Sequence, residues 1–80
     1  MRKRYKYIVY TKISAVENDW MFITKEKEFK TKTEAVEYLI QRSEEDIEKY
    51  KLDLDDIIID GLGFKNLKAN STTWIQSEEI

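Results

Sequence analysis

An α+β fold, a small antiparallel sheet in the order β-β-α-β-β-β with one helix packed on one face, is what this sequence predicts. Three observations carry that expectation. A single long stretch of helical apolar periodicity begins at a capping box. Short runs rich in Tyr, Ile, Val, Thr and Trp, broken by turn residues, lie on both sides of it. The 80 residues leave room for one compact domain, 1–80, and no second. A chain of this size buries only about 60% of its unfolded surface, so one modest core must hold it. A twisted sheet under one helix is the natural two-layer way to build such a core.

Residues 4–13 read as the first strand. Its odd positions, Tyr5, Tyr7, Val9, Thr11 and Ile13, make the better core face, and its even positions, Arg4, Lys6, Ile8, Tyr10 and Lys12, hold the cations. A polar loop over 14–19 leads to a second strand over 20–29, and the two pair as an antiparallel hairpin. Its parity is open. If even positions of the first strand share a face with odd positions of the second, Arg4, Lys6, Lys12, Lys25 and Lys27 form one basic face; if even meets even, Glu26 and Glu28 neutralise it.

Thr31-Lys32-Thr33-Glu34 is a capping box, with the Thr31 hydroxyl set to accept from the Glu34 amide. After it, Val36, Leu39, Ile40, Ser43, Ile47 and Tyr50 fall within about 100° of one another at helical pitch. This predicts one helix over about 32–51 with that stripe on the sheet, and with Ser43 as the place where it would bend or restart. Tyr38 falls on the opposite side, among Glu34, Gln41 and Glu45, and is expected to be exposed. A third strand follows over 54–59. Asp60-Gly61 has the chemistry of a two-residue type I′ turn, and a fourth strand covers 62–68. Asn70-Ser71 turns the chain into a short last strand over 72–76, and residues 77–80 are expected to fray.

Composition removes several chemistries. There is no Cys, His or Pro in the sequence, so a thiol nucleophile, a disulfide framework, a Ser-His pair and a Cys/His zinc site are all absent. Read as an EF-hand loop from Asp53, the chain places Ile58 where glycine is needed and Phe64 where the closing glutamate belongs. Gly61 and Gly63 make a hairpin turn rather than a phosphate-cradling loop. The sequence therefore predicts no enzyme, no metal and no cofactor. The basic start, Arg2-Lys3-Arg4, has no apolar stretch after it, and no run approaches the roughly 20 residues of a membrane span, so a cytoplasmic protein without membrane contact is expected.

The net charge of −2 hides a division. Residues 1–32 hold nine Lys/Arg against four acids, and residues 33–80 hold five against twelve. Two binding surfaces follow. The first is acidic, made of Glu44, Glu45, Glu48, Asp53, Asp55 and Asp56 with Tyr38 as aromatic anchor, and it suits a protein partner with a basic surface. The second is the basic first hairpin, with Arg4, Lys6, Tyr10, Lys12, Lys25 and Lys27 as contacts for nucleic acid, since cations attract phosphates and aromatic faces stack bases. The segment over 20–39, a strand followed by Phe29-Lys30-Thr31-Lys32-Thr33-Glu34-Ala35, loosely resembles the strand-then-helix of integrase arm-binding, AP2-like domains. It spans about a quarter of the chain and lacks their dense Arg, so no family is assigned from it. In composition the chain also resembles the small accessory proteins of AT-rich bacteria and their phages. The preferred expectation is a non-enzymatic protein-binding module, a phage-type inhibitor or modulator of a host protein that acts by occlusion through its acidic surface. The alternatives are a small nucleic-acid-binding module and a homodimer formed through a sheet edge.

Overall fold

The computed structural model describes residues 4–15 and 20–80. Expectations that rest on Arg2, Lys3 and residues 16–19 lie outside these described residues. The elements run β1 (Tyr5–Ala15), β2 (Trp20–Phe29), α1 (Lys32–Tyr50), β3 (Ile57–Asp60), β4 (Gly63–Asn66) and β5 (Ser71–Glu79). The strands form one antiparallel sheet in the order β2-β1-β5-β4-β3, and α1 packs on one face of it. This is the expected α+β architecture.

Local chemistry sets the helix ends. The Thr31 hydroxyl accepts from the Glu34 amide at 3.3 Å, the N-cap bond of the capping box, and donates to the Glu34 carboxylate at 2.9 Å, a side-chain bond between the same two residues. At the other end Lys51 turns left-handed, with φ 52°, and its N–H reaches back to the Ile47 carbonyl. The helix runs unbroken through Ser43, whose hydroxyl donates to the Ile40 carbonyl at 2.7 Å. No helix among the described residues is long and apolar enough to cross a membrane.

The core lies between α1 and the odd positions of β1. Val9, Ala35, Leu39, Phe64 and Ile75 are buried together, with Tyr7, Phe29, Val36, Tyr38 and Ile57 packed around them. The buried side of α1 is not the expected one. Ala35, Leu39 and Asp46 are buried, whereas Ile40 is 53% exposed and Ile47 39%. The helix is rolled by roughly a fifth of a turn toward β2 relative to its apolar stripe. Phe22 is 62% exposed on the far half of the first hairpin.

A bulge in β2 explains the roll. Val9 pairs with Lys27, but Tyr10 pairs with Lys25, so Glu26 is an extra residue in the ladder. The bulge directs Glu26 toward the helix. Its carboxylate accepts from Tyr38 Oη at 2.9 Å and from Arg42 Nε at 2.8 Å, and also from the Thr11 hydroxyl. Arg42 continues to Asp46 at 2.9 Å, and Asp46 accepts from the Asn66 amide at 3.2 Å. Thr11 meets Thr73 at 3.1 Å. Among the described residues, every buried side-chain N or O atom has a partner. A polar layer thus sits where a continuous apolar stripe was expected. It is tolerated because each member is hydrogen-bonded.

The strand boundaries also shift. β5 extends to Glu79 because β1 supplies ladder partners, pairing Tyr5 with Glu79 and Lys6 with Glu78, so the tail does not fray over 77–79. The third and fourth strands are shorter than expected. Their turn closes with Asp60 opposite Gly63, and it is Gly61 alone that takes a left-handed φ, of 57°. This corrects the type I′ expectation, which requires positive φ at both central residues. Gly63 is required for space: a Cβ there would lie 2.8 Å from the Thr73 carbonyl oxygen and 3.1 Å from Trp74 Cβ.

Candidate functional site

The acidic residues do not form one arc. Glu45 leans to the β2 side and lies 3.7 Å from Arg42. By helical periodicity Glu44 and Glu48 fall on the outward side of α1, next to the stripe of Ile40 and Ile47. Asp53 and Asp55 are exposed on the loop between α1 and β3. Asp56 is occupied in shaping that loop: its carboxylate accepts from the Asp53 amide at 2.9 Å and lies 3.6 Å from Lys68.

Tyr38 corrects an expectation outright. It is half-buried rather than exposed, and its ring lies 5.3 Å from that of Phe29. Burial pushes its hydroxyl pKa up, and the hydrogen bond to Glu26 adds to the rise. A tyrosine held this way braces helix to sheet. On Glu26 burial acts upward, but hydrogen bonds from Arg42, Thr11 and Tyr38 outweigh it and hold the carboxyl below the ordinary range. Arg42 is correspondingly held more firmly protonated, first through its hydrogen bond to Glu26.

The bulge also resolves the hairpin parity. On the side of it near β2's end, even meets even, as in Ile8 opposite Glu28; on the other side, even meets odd, as in Tyr10 opposite Lys25 and Lys12 opposite Ile23. The basic residues are therefore divided. Lys6, Tyr10, Lys12 and Lys25 share the face away from the helix. There Glu28 lies 3.2 Å from Lys6 and 2.6 Å from Lys25, and Tyr10 donates to Glu78 at 3.2 Å while stacking on Trp74. Lys27 is on the helix side, opposite Val9, with its ammonium 5.4 Å from the Phe29 ring centre and 5.9 Å from that of Tyr38. Arg4 is exposed at the start of the sheet, where its carbonyl accepts from the Ile80 amide. The structure does not gather these six residues into one basic surface.

Sequence reasoning passed over a different surface because it placed Ile40 and Ile47 on the sheet. The roll of α1 toward β2 leaves the opposite flank of the helix uncovered, beside the β3–β4 hairpin. Ile40 and Ile47 on the helix, Ile59 at 72% exposure on β3 and Leu62 at 42% in the turn are all open to solvent. Between helix and hairpin lies a hollow of about 240 Å³ lined by Val36, Leu39, Ile40, Ser43, Ile59 and Leu62 together with Phe64 and the two glycines. By helical periodicity Glu37, Glu44 and Glu48 fall beside Ile40 on the outward side of the helix, whereas Asp60 lines a different hollow with Ile58, Lys65 and Trp74. Lys32 stands near Leu62 at the other end of the helix, where both line a separate hollow. The available sequence signal was Arg42 with Asp46, an i, i+4 ion pair on the same helical face as Ala35 and Leu39.

Comparison with known proteins returns nothing: no protein-family model, no curated protein and no solved structure matches this chain.

Proposed function

We propose that this chain is a non-enzymatic protein-binding module, and that its binding surface is the uncovered flank of α1 with the neighbouring β3–β4 hairpin. The observation that carries the reading is the exposure of Ile40, Ile59 and Leu62 around one hollow, with Ile47 exposed further along the same helix stripe and Glu44 and Glu48 next to that stripe by periodicity. A contiguous apolar strip rimmed by polar residues is the usual signature of an interaction surface. Its acidic rim selects a partner segment that mixes apolar and basic residues, with charge acting on encounter rate and specificity. A module bound in this way occludes the basic surface it covers, which is how it would inhibit or modulate its partner. Nucleic acid is the weaker reading, because Glu28 and Glu78 occupy the face that carries Lys6, Tyr10 and Lys25.

The test compares capture from a cell lysate by the parent, by an Ile40→Lys/Ile59→Lys variant and by a Lys12→Glu/Lys25→Glu variant, each checked for native circular dichroism. A protein retained by the parent and the second variant but lost by the first supports the flank. Capture that survives the flank substitutions, or that disappears with nuclease treatment, overturns it.

A further inference from the structure

We propose that the sheet face turned away from α1 holds a single nucleoside monophosphate, with its base against Trp74 and its phosphate between Lys12 and Lys65. This site lies across the sheet from the α1 flank and is independent of the protein-binding surface there.

The strand register lays the site out in two rows. Tyr10 on β1, Trp74 on β5, Gly63 on β4 and Asp60 on β3 are successive cross-strand partners. Two residues along the strands, Lys12, Thr72, Lys65 and Ile58 are partners in the same way. Val9, Phe64 and Ile75 have the other parity and are buried under α1, so both rows face away from the helix.

The first row supplies a fixed ring surface. Tyr10 stacks on Trp74 with ring centres 5.6 Å apart and planes 26° apart. Both rings are tethered: the Tyr10 hydroxyl donates to Glu78 at 3.2 Å, and Trp74 Nε1 donates to Gln76 Oε1 at 3.4 Å. Gly63 keeps a side chain away from the β4 side of Trp74, where a Cβ would come within 3.1 Å of Trp74 Cβ. Trp74 lines a hollow of about 260 Å³ together with Ile58, Asp60, Gly63, Lys65 and Thr72. Pockets for drug-sized ligands span roughly 300–1,000 Å³, so this smaller one suits one ring system. A ring already held in place loses little freedom when a base stacks on it.

The second row supplies the anion site. Lys12 and Lys65 stand on either side of Thr72, whose hydroxyl is a donor between them. Among the described residues neither lysine is in an ion pair. Lys25, next to Tyr10, is by contrast committed to Glu28 at 2.6 Å. The row has Ile23 and Ile58 at its ends and carries no carboxylate.

Spacing and the surrounding charge select the occupant. Two residues of strand separate the rows by about 7 Å. A ring with its phosphate bonded directly to it, as in phosphotyrosine, does not cover both rows; the ribose of a nucleotide supplies that separation. Carboxylates limit the length of the ligand. Glu78 lies on β5 beyond Trp74, Glu28 lies on β2 beyond Lys25, and Asp60 closes the first row. They repel the successive phosphates of a nucleic-acid strand, or successive acids of a peptide, and leave one phosphate at the two lysines. The Asp60 carboxylate also accepts from N–H donors of a base, which favours guanine, whose ring N–H and amino group are adjacent.

The test is an NMR titration of isotope-labelled full-length protein with GMP, guanosine, ribose 5-phosphate and inorganic phosphate. GMP should shift the Trp74 indole N–H and the Thr72 and Lys65 amides together. It should bind at least about tenfold tighter than each of the other three, in keeping with the worth of one base–aromatic stack. Trp74→Leu should weaken GMP by a similar factor and leave inorganic phosphate unchanged. Lys12→Gln/Lys65→Gln should weaken GMP as much and leave guanosine unchanged. Neither lysine holds an ion pair, so this double variant should keep the parent amide spectrum, and it decides the matter if Trp74→Leu fails to fold. Equal affinity for GMP and inorganic phosphate reduces the site to a surface anion contact and overturns the proposal. GMP binding that leaves the Trp74 indole signal unmoved does the same. A four-residue RNA that binds more than about tenfold tighter than GMP assigns the face to a strand and overturns the single nucleotide. Shifts at Trp74 that follow protein concentration without ligand, with a doubled mass, place a second copy there and also overturn it.

Discussion

Arg42 Nε donates to Glu26 Oε1 at 2.8 Å, joining the middle of the helix to the bulged residue of β2. Sixteen positions separate the two in sequence, and the contact sets which side of α1 faces the sheet. Arg42 also holds Asp46, which is 6% exposed. Replacing Arg42 with Ala leaves two carboxylates facing a low-dielectric layer without their cation. Arg42→Ala should cost about 2–3 kcal/mol in urea unfolding. That falls below the cost of breaking a fully buried pair, because the Arg42 and Glu26 side chains keep 22% and 16% exposure. A loss below about 0.5 kcal/mol would show that the layer is not holding the helix.

Glu26 has its carboxyl pKa lowered in the folded state, so folding stability is tied to its charge. The sign follows from the depressed value. The contribution is complete above the ordinary glutamate pKa of about 4.3, and it is lost as pH falls through that value toward the lower folded one. The parent should therefore lose stability on acidification in this window. A Glu26→Gln variant, less stable at neutral pH, should show a shallower loss over the same range. Parallel pH profiles for the two proteins would remove Glu26 as the responsible group.

Leu39 and Ile40 are adjacent in sequence, and the rolled helix separates them. Leu39 is 8% exposed and Ile40 53%. Leu39→Ala should cost about 2–5 kcal/mol. Ile40→Ala should stay within about 1 kcal/mol, in keeping with a site on the rim of the core. Thermal or urea denaturation of the pair reads out the helix roll directly. Equal losses would return Ile40 to the core and remove the exposed flank.

Gly63 sits at the start of β4 against Thr73 and Trp74. The 2.8 Å approach that an added Cβ would make is to a backbone oxygen in a paired strand, which has little freedom to move. Gly63→Ala should destabilise by about 1–3 kcal/mol through overpacking. Gly61→Ala meets no neighbouring atom within 4 Å but must hold a φ of 57°, so its smaller cost, about 1 kcal/mol, comes from backbone strain. If Gly63→Ala melts with the parent, β4 and β5 are less tightly held than their register indicates.

The order of the elements, the helix start at Thr31 and the second strand over 20–29 could be read directly from the sequence. The physical reason is that these features are local. A capping box involves residues three apart, strand and helix periodicities are properties of neighbours, and turn residues act where they stand. The sequence likewise determines that Cys and His chemistry is absent, and that the acids are concentrated after residue 32. Three things were decided only by the tertiary structure. The first is the bulge at Glu26, which reverses the parity of the hairpin partway along β1 and splits the basic residues between two faces; a single extra residue does this without a local signature. The second is the buried side of α1. Periodicity favours Ile40 and Ile47, but Arg42 and Asp46 can be buried only where Glu26, from 16 positions earlier, and Asn66, from 20 positions later, arrive to satisfy them. The third is the length of β5, where residues 77–79, polar and unremarkable alone, become strand because β1 offers them an open ladder. The exposed flank of α1 follows from the second of these: once hydrogen-bonding partners fix the polar side of the helix against the sheet, part of the apolar side is left facing water.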